Sequence, residues 1–292
     1  MSIASRALEV PFIRLTLKFV RNMFVRPGRI EQLLSESHDL TLLYLYELKK
    51  ARSTNPLAKY GYKCFSQADE DGITMEIASR LGLSSKGTFC EFGVGDGTEN
   101  NTLILLAAGW RGAWVGNDQL KFNEQADGSR LKYTKTWVTK ENIVSIAKTN
   151  LEKLEATEYD LVSLDFDGND LHLVEQLLQN GIQPSVFIVE YNAHFPPPIQ
   201  FCVTYNPKHL YKGDDYFGAS LQTFFDMFST HGYTLVCCNL MTGANAFFIR
   251  NDCMTKFGDV PQDISKIYAP PSYYLLAQYG YKRSCKTISA LI

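Results

Sequence analysis

The sequence predicts an α/β protein with a doubly wound, mostly parallel seven-stranded sheet that ends in an antiparallel C-terminal hairpin. Between residues 88 and 250, short apolar runs alternate with segments of helical periodicity, which is the pattern of strands and crossover helices. The last two apolar runs are separated by a short segment around Met241-Thr242-Gly243, as in a hairpin. The 292 residues, 45% of them hydrophobic, can bury a large core.

Two helices are predicted before the first strand. Residues 30–52 have apolar positions three and four apart, and Asn55-Pro56 ends this helix. The segment from Ser66 to Asp71 opens a second helix over 72–81 and places acidic residues at the end where the helix dipole is positive. These helices are additions to the N-terminal side of the sheet.

The other elements follow in alternation. Strands are predicted at 88–91, 113–117, 133–138, 161–165, 185–190, 233–239 and 246–250. Helices are predicted at 99–108, 140–154, 170–180 and 218–231.

Composition and charge exclude several classes of protein. The net charge of −2 gives no reason to expect nucleic acid as a partner, and no apolar run approaches the length of a membrane-spanning helix. The seven cysteines contain no C-x-x-C pair, which argues against a zinc ribbon or a thioredoxin-like motif. Scattered cysteines of this kind favour a reducing cytoplasm, so a soluble cytoplasmic protein is expected.

The N-terminal segment 6–29 is strongly basic, with Glu9 as its one acidic residue. Its charged residues recur at helical spacing, which predicts a basic amphipathic helix. Such a helix binds an anionic membrane surface peripherally, contacts a partner, or packs on the protein's own core, and the sequence leaves these alternatives open. The basic residues are Arg6, Arg14, Lys18, Arg21, Arg26 and Arg29.

A glycine-rich loop follows the first predicted strand, with the pattern E-x-G-x-G-x-G over 91–97. Glycines at every second position let the backbone turn sharply and approach a ligand closely. The spacing differs from the G-x-G-x-x-G of dinucleotide enzymes, and Asp96 inside the loop would repel a pyrophosphate. Asp118, at the end of the next strand, can accept hydrogen bonds from both ribose hydroxyls. The loop therefore favours an adenosine joined to an amino acid, and the alternative is a purely structural turn.

The order of elements around this loop resembles the S-adenosylmethionine (SAM)-binding core of Rossmann-like (class I) methyltransferases. It consists of a strand, the E-F-G-V-G-D-G loop, a helix, and a second strand that ends in N-D. The blocks at 65–71 and 163–170 look like those of the FkbM-type branch, which modifies polysaccharides and natural products. The resemblance covers about Phe65 to Arg250. This chain departs from the branch at Asp167-Gly168, where FkbM-type proteins usually carry Asp-x-Glu-Gly.

The resemblance implies SAM as the cofactor and a domain organisation. A helical extension, 1–60, precedes the SAM-binding Rossmann-like catalytic domain, 61–251, and a Tyr- and Pro-rich extension, 252–292, follows it. The resemblance implies contacts to each part of SAM. The glycine loop would hold the methionine part, Asp118 the ribose, the residues after the third strand the adenine, and two residues before the second helix the SAM carboxylate. The implied contact residues are Ser66, Gln67, Glu91, Gly93, Gly95, Asp96, Gly97, Asn101, Asp118, Thr139, Glu141, Asn142 and Asp165.

Polar residues cluster after two further predicted strands. Asp165 and Asp167 are two residues apart and can face one ligand, and the next strand ends in Glu190, Asn192 and His194. Because ligands of open α/β sheets bind at the carboxyl ends of strands, we expect these residues to share a pocket. Asp165, Asp167, Glu190 and Asn192 would suit Mg²⁺, or His194 would act as a general base beside Asp165 and Asp167. In a third interpretation these acids only cap a helix or face solvent.

The predicted function is methyl transfer from SAM to a polar acceptor such as a sugar hydroxyl, on a small molecule or a glycan, with or without a metal. Two alternatives remain. One is a Mg²⁺-dependent phosphatase of the haloacid-dehalogenase type, with Asp165 as nucleophile and Lys212-Gly213-Asp214-Asp215 as its later acidic motif. The other is a non-catalytic scaffold with the same fold.

Overall fold

The computed structural model describes residues 27–122 and 130–272, except for the side chains of 27–36. The chain divides into two compact units, Met1–Leu48 and Lys49–Ile292. Most of the predicted basic segment, 6–26, lies outside the described residues, as do residues 273–292 of the C-terminal extension. No described helix is both long and apolar enough to cross a membrane.

Helices and strands alternate as the sequence predicts. The helices are α1 (Pro27–Arg52), α2 (Glu70–Leu81), α3 (Leu103–Ala107), α4 (Ile143–Lys153), α5 (Asp170–Gln179), α6 (Leu221–Thr230) and α7 (Ile264–Ile267). The strands are β1 (Thr88–Phe92), β2 (Arg111–Gly116), β3 (Leu131–Lys135), β4 (Leu161–Leu164), β5 (Val186–Glu190), β6 (Tyr233–Cys238) and β7 (Asn245–Arg250). Short 3₁₀ helices lie at Leu57–Tyr60 and Asn251–Lys256.

The strands form one seven-stranded sheet in the order β3-β2-β1-β4-β5-β7-β6. All the neighbouring pairs from β3 to β5 are parallel, whereas β7 is antiparallel to both β5 and β6. This order confirms the predicted fold class, a class I methyltransferase-like sheet with an antiparallel C-terminal hairpin. The chain reverses its direction of travel through the sheet between β1 and β4, and the crevice above such a switch point is where open α/β sheets bind ligands.

The core lies on both faces of this sheet. Every residue of β1 and β4 is buried, as expected for central parallel strands covered by helices on two sides. Aromatic rings fill the hairpin side, where Phe228 of α6 stacks on Phe248 of β7 with ring centroids 4.1 Å apart. The rigid sheet therefore fixes the positions of the loops at its carboxyl edge.

Several boundaries differ from the prediction, and two of them lie close to the carboxyl edge of the sheet. Helix α3 begins at Leu103 rather than 99, and the N–H groups of Asn101 and Thr102, just before it, donate to the Glu91 carboxylate. Strand β3 ends at Lys135 rather than 138, because its partner β2 ends at Gly116. Thr136 N still donates to Gly116 O at 2.8 Å, and residues 137 and 138 lie beyond the end of the strand.

The segment before α2 is fastened to the hairpin turn by buried polar groups. Asp69 accepts hydrogen bonds from Leu240 N, Met241 N and Asn239 Nδ2, at 3.0–3.1 Å. The Asn239 amide also donates to Glu70 Oε1 at 2.9 Å, and both acids and Asn239 are fully buried. We call Asp69, Glu70 and Asn239 the buried latch. The sequence predicts that these acids stabilise the positive end of the helix dipole. In the structure they mainly join the start of α2 to the turn between β6 and β7.

Candidate active site

Three cavities meet at the carboxyl edge of the sheet. The loop cavity, about 580 Å³, lies against the glycine loop and Asn101. The β2 cavity, about 400 Å³, lies beyond the end of β2 and includes Trp137. The acid cavity, about 510 Å³, lies beside the ends of β4 and β5. Gly93 and Asp165 line all three cavities, so a ligand that spans them passes these two residues.

The glycines of the loop have different roles. Gly93 has a φ of +88°, and a Cβ there would lie 1.7 Å from the carbonyl oxygen of Asp165, so glycine lets the ends of β1 and β4 approach. Gly97 has a φ of +85°. A Cβ on Gly95 would meet no heavy atom within 4 Å. Gly95 therefore presents bare backbone to the loop cavity that it lines.

Glu91 lines the loop cavity but also has a structural role that the sequence did not predict. Its two carboxylate oxygens accept hydrogen bonds from Asn101 N at 2.9 Å and Thr102 N at 3.0 Å. The Thr102 hydroxyl donates to the same carboxylate. Burial raises the pKa of Glu91, and these donors oppose the rise. Glu91 thus holds the start of α3 below the cavity.

Two exposed acids lie at the outer rim. Asp96 lines the loop cavity and pairs with Lys121 Nζ at 2.7 Å, which lowers the pKa of the aspartate. Asp118 follows β2 and lines both the loop cavity and the β2 cavity. The sequence predicts a ribose contact for Asp118, and the structure places this residue between the two cavities.

The acid cavity contains a cluster of three carboxylates, Asp165, Asp167 and Glu190, which we call the acid cluster. One oxygen of each lies within 4.8 Å of the others. The pKa of all three is raised, first by desolvation and, for Asp165 and Glu190, next by repulsion between the carboxylates. Glu190 Oε2 is buried and has no hydrogen-bond partner among the described residues. The cluster can therefore hold a proton or a cation.

Local backbone geometry positions the acid cluster. Asp167 has a φ of +53°, an uncommon conformation for a residue other than glycine. Asp170 supports the turn, because its carboxylate accepts hydrogen bonds from Phe166 N at 2.8 Å and Gly168 N at 3.1 Å. A Cβ on Gly168 would lie 2.2 Å from the His209 ring, so glycine is required for this packing. His209 Nε2 in turn lies 3.2 Å from the Asp167 carbonyl oxygen.

Some residues predicted to contact SAM lie elsewhere. Ser66 is fully buried, lines none of the three cavities, and has its N–H bound to the Asp71 carboxylate at 2.9 Å. Asn142 accepts a hydrogen bond from Thr139 N at 2.8 Å and so closes the turn before α4. Glu141 is exposed and contacts the Tyr205 hydroxyl at 3.3 Å. The predicted adenine-side set, Thr139, Glu141 and Asn142, is therefore used for capping and for surface contacts.

Two residues predicted after β5 are also outside the cavities. Asn192 is buried and donates to the carbonyl oxygens of Asp215 and Phe217, both at 3.0 Å. Its own carbonyl accepts from His194 N at 3.2 Å, so its polar atoms hold the backbone and are not directed at the acid cluster. His194 does not line any of the three cavities. The structure thus does not bring the predicted base to Asp165.

Only some of the predicted site residues line the three cavities, and other residues that were not predicted line them as well. Gln67, Glu91, Gly93, Gly95, Asp96, Gly97, Asn101, Asp118, Asp165, Asp167 and Glu190 all line one or more cavities. The unforeseen lining residues include Trp137, Leu210 and Phe217, which come from loops, and Asn245, the first residue of β7.

The phosphatase interpretation lacks its second acidic motif. Asp214 accepts a hydrogen bond from Tyr216 N at 3.1 Å, and Asp215 is fully buried. Neither residue lines any of the three cavities. Asp165 consequently has no partner acid from that segment.

Comparisons with known proteins give distant likenesses. No family model matches the chain, and no curated protein is significantly similar to it in sequence. Among solved structures, a Burkholderia thailandensis 1,6-didemethyltoxoflavin-N1-methyltransferase with bound S-adenosylhomocysteine is 12% identical, with a TM-score of 0.37 over 62% of this chain and 76% of that one. The MycE methyltransferase, in complex with Mg, SAH and mycinamycin VI, is 12% identical, with a TM-score of 0.32 over 61% of this chain.

This chain covers 45% of the MycE chain. The spermidine synthase of Thermotoga maritima is 13% identical, with a TM-score of 0.32 over 71% of this chain and 65% of that one. At identities this low, the activities and ligands of those proteins do not extend to this chain.

Proposed function

We propose that this protein is a SAM-dependent methyltransferase. The charge of the lining carries the proposal: seven residues that line the three cavities are acidic, and none of the described lining residues is Lys, Arg or His. A phosphate chain would be repelled by such a surface, whereas SAM carries one net positive charge, because its sulfonium and ammonium groups outweigh its one carboxylate. The acidic residues are Glu91, Asp96, Glu99, Asp118, Asp165, Asp167 and Glu190.

The shape of the three cavities suits SAM in one orientation. The ribose would lie at Asp118, between the loop cavity and the β2 cavity. The methionine part would lie in the loop cavity against Gly95, with Gln67 and Asn101 as hydrogen-bonding groups. Bound SAM supplies an activated methyl group. In this orientation the methyl group would face Gly93 and Asp165, where all three cavities meet.

The acceptor would enter the acid cavity and is proposed to be a hydroxyl, such as that of a sugar on a small molecule or glycan. Carboxylates with raised pKa values accept protons at neutral pH more readily than ordinary ones, so Asp165 or Asp167 would receive the hydroxyl proton. Tyr211 and Phe217 give the same cavity an apolar side for a ring. The FkbM-like branch, and with it polysaccharide modification, rests on the sequence blocks at 65–71 and 163–170.

A metal-assisted variant of this reaction also fits the residues. Asp165, Asp167 and Glu190 offer three oxygen ligands within 4.8 Å of one another, the type of ligand that Mg²⁺ prefers. Glu190 Oε2, which is buried and has no hydrogen-bond partner among the described residues, would serve as one of these ligands. Asn192 would not belong to this site. A bound Mg²⁺ would lower the pKa of an acceptor hydroxyl.

Calorimetric titration with SAM and with S-adenosylhomocysteine tests the proposal. The wild-type chain is expected to bind both in the micromolar range. Gly95→Leu should abolish binding without unfolding the protein, because its side chain would fill the loop cavity and meet no neighbouring atom within 4 Å at Cβ. Gly258→Leu is the matched control, since a Cβ on Gly258 also meets nothing within 4 Å and Gly258 lines none of the three cavities. Absence of heat with wild-type protein would refute the proposal.

A further inference from the structure

Two large apolar side chains face the β2 cavity from different parts of the chain. Trp137 follows β3, and Leu210 comes from the long segment 191–220 between β5 and α6, which we call the insert. They are exposed by 42% and 65%, respectively. Val138 and the end of β2 at Gly116 complete this cavity. The result is an apolar slot next to the acidic rim.

Hydrogen bonds hold both walls of the slot. Trp137 Nε1 donates to the carbonyl oxygen of Pro207 at 2.7 Å, which ties one wall to the insert three residues before Leu210. Asn169 and Asn206 exchange two hydrogen bonds, at 2.8 and 3.3 Å, and so fasten the insert to the start of α5. His209 adds the contact with the Asp167 carbonyl. The slot is therefore formed before any ligand enters.

The slot continues the path of the proposed cofactor. Asp118 lines both the loop cavity and the β2 cavity, so a nucleoside with its ribose at Asp118 and its amino acid at Gly95 has its base in the β2 cavity. A neutral flat ring is the group that best covers an exposed tryptophan face and a leucine. Thr139, Glu141 and Asn142, the predicted adenine-side residues, are absent from this lining.

We propose that Trp137 and Leu210 form the two walls of an adenine slot, so that the insert supplies part of the cofactor site. This inference rests on the proposed SAM-binding function and identifies the residues that select the base. It also gives the insert a role besides contact with the acceptor: Leu210 faces the base while its neighbour Tyr211 faces the acid cavity. One segment thus borders both ligands.

Tryptophan fluorescence tests the slot directly, because the other two tryptophans, Trp110 and Trp114, are buried. Acrylamide quenching of the wild-type protein should report mainly Trp137, and saturating S-adenosylhomocysteine should reduce that quenching. Trp137→Phe should lose the reduction while still binding, since a phenyl ring can stack on the base. Unchanged quenching at saturation, with binding confirmed by calorimetry, would overturn the slot and leave the methyltransferase proposal standing.

Measurements of ligand affinity provide a second, independent test of the slot. Leu210→Ala and Trp137→Ala are expected to weaken S-adenosylhomocysteine binding about 10-fold or more, the loss typical of a removed stacking or apolar contact with a base. Ile199→Ala is the matched control, since Ile199 is a 43% exposed residue of the same insert that lines none of the three cavities. Equal affinity in Leu210→Ala and Ile199→Ala would overturn the role of the insert. If the wild-type chain binds no S-adenosylhomocysteine, both this inference and the proposed function fail.

Discussion

Asp165, Asp167 and Glu190 show how single residues set the chemistry of this edge of the sheet. Desolvation raises the pKa of all three, and repulsion between carboxylates raises the pKa of Asp165 and Glu190 further. The acid cluster is consequently more easily protonated than the exposed carboxylates of the rim, such as Asp96, whose pKa is lowered.

Glu190→Gln should stabilise the protein at about pH 8 and much less at about pH 5. A group whose pKa is raised on folding contributes stability below its unfolded pKa, and this contribution is lost as pH rises through its folded pKa. Glu190 follows that rule because burial raises its pKa, whereas glutamine has no charge to desolvate. Thermal melts at the two pH values measure the difference in Tm between variant and wild type.

Glu158→Gln is the control for these melts, since Glu158 is exposed and lies before β4, at the opposite end of that strand from Asp165. The Tm difference between variant and wild type should change with pH more for Glu190→Gln than for this control. An equal effect of Glu190→Gln at both pH values would contradict the assigned pKa shift. Added Mg²⁺ should raise the Tm of the wild-type protein more than that of Glu190→Gln if the acid cluster also binds a cation.

At the scale of secondary-structure elements, the buried latch joins α2 to the β6–β7 hairpin. Asn239 is central: its amide donates to both acids, and its carbonyl accepts from Ala244 N and Asn245 N at 2.9 and 2.8 Å. Glu70 lies in this network with its pKa raised to about 6, first by burial and then by the nearby Asp69. One side chain therefore sets both the shape of the turn and its attachment.

Asn239→Ala should lower the free energy of unfolding by about 2–4 kcal/mol, because Asp69 and Glu70 each lose one buried donor and the N–H groups of Ala244 and Asn245 lose their acceptor. Chemical denaturation measures this loss. Asn180→Ala is a suitable comparison. Asn180 is exposed, follows the last residue of α5, and donates one hydrogen bond to Gln176 O of the same helix. Similar losses in the two variants would contradict the structural importance of the latch.

Much of the element order follows from local pattern, whereas the side-chain pairing does not. Buried parallel strands such as β4 are short apolar runs, and the glycine spacing at 93–97 marks a loop that lines a cavity, so both can be predicted from sequence. The partner of an acid is not: Asp69 and Asn239 are 170 residues apart and meet only through the fold. Contacts between residues far apart in sequence also explain two other differences. Asn192, predicted as a metal ligand, donates hydrogen bonds to backbone carbonyl groups, and Leu210 lines the β2 cavity.

For the whole molecule, the distribution of charge matters more than its sum. The chain has a net charge of only −2, yet the lining of the three cavities combines seven acidic residues with no described basic residue. Acidic clefts concentrate cationic ligands, and salt screens that attraction over a distance of about 10 Å at ~0.1 M. The effect should therefore be visible in how binding depends on salt.

Raising the ionic strength from about 0.05 M to about 0.5 M should weaken SAM binding severalfold and S-adenosylhomocysteine binding much less. The two ligands differ by the methyl group and its positive charge, so the second serves as the internal control. Calorimetric titrations at several salt concentrations give both slopes. Parallel slopes for the two ligands would contradict an electrostatic preference for the sulfonium.

The antiparallel strand β7 has a consequence for protein synthesis. Translation delivers the glycine loop and Asp118 in the first half of the chain, but Asn245, which borders the same cavity, is the first residue of β7. Until Asn239 and Asn245 leave the ribosome, Asp69 and Glu70 lack the amides that pair with them. A nascent chain therefore completes the lining of the loop cavity only when the hairpin is made, and chains arrested before residue 239 would be open to chaperones and proteases.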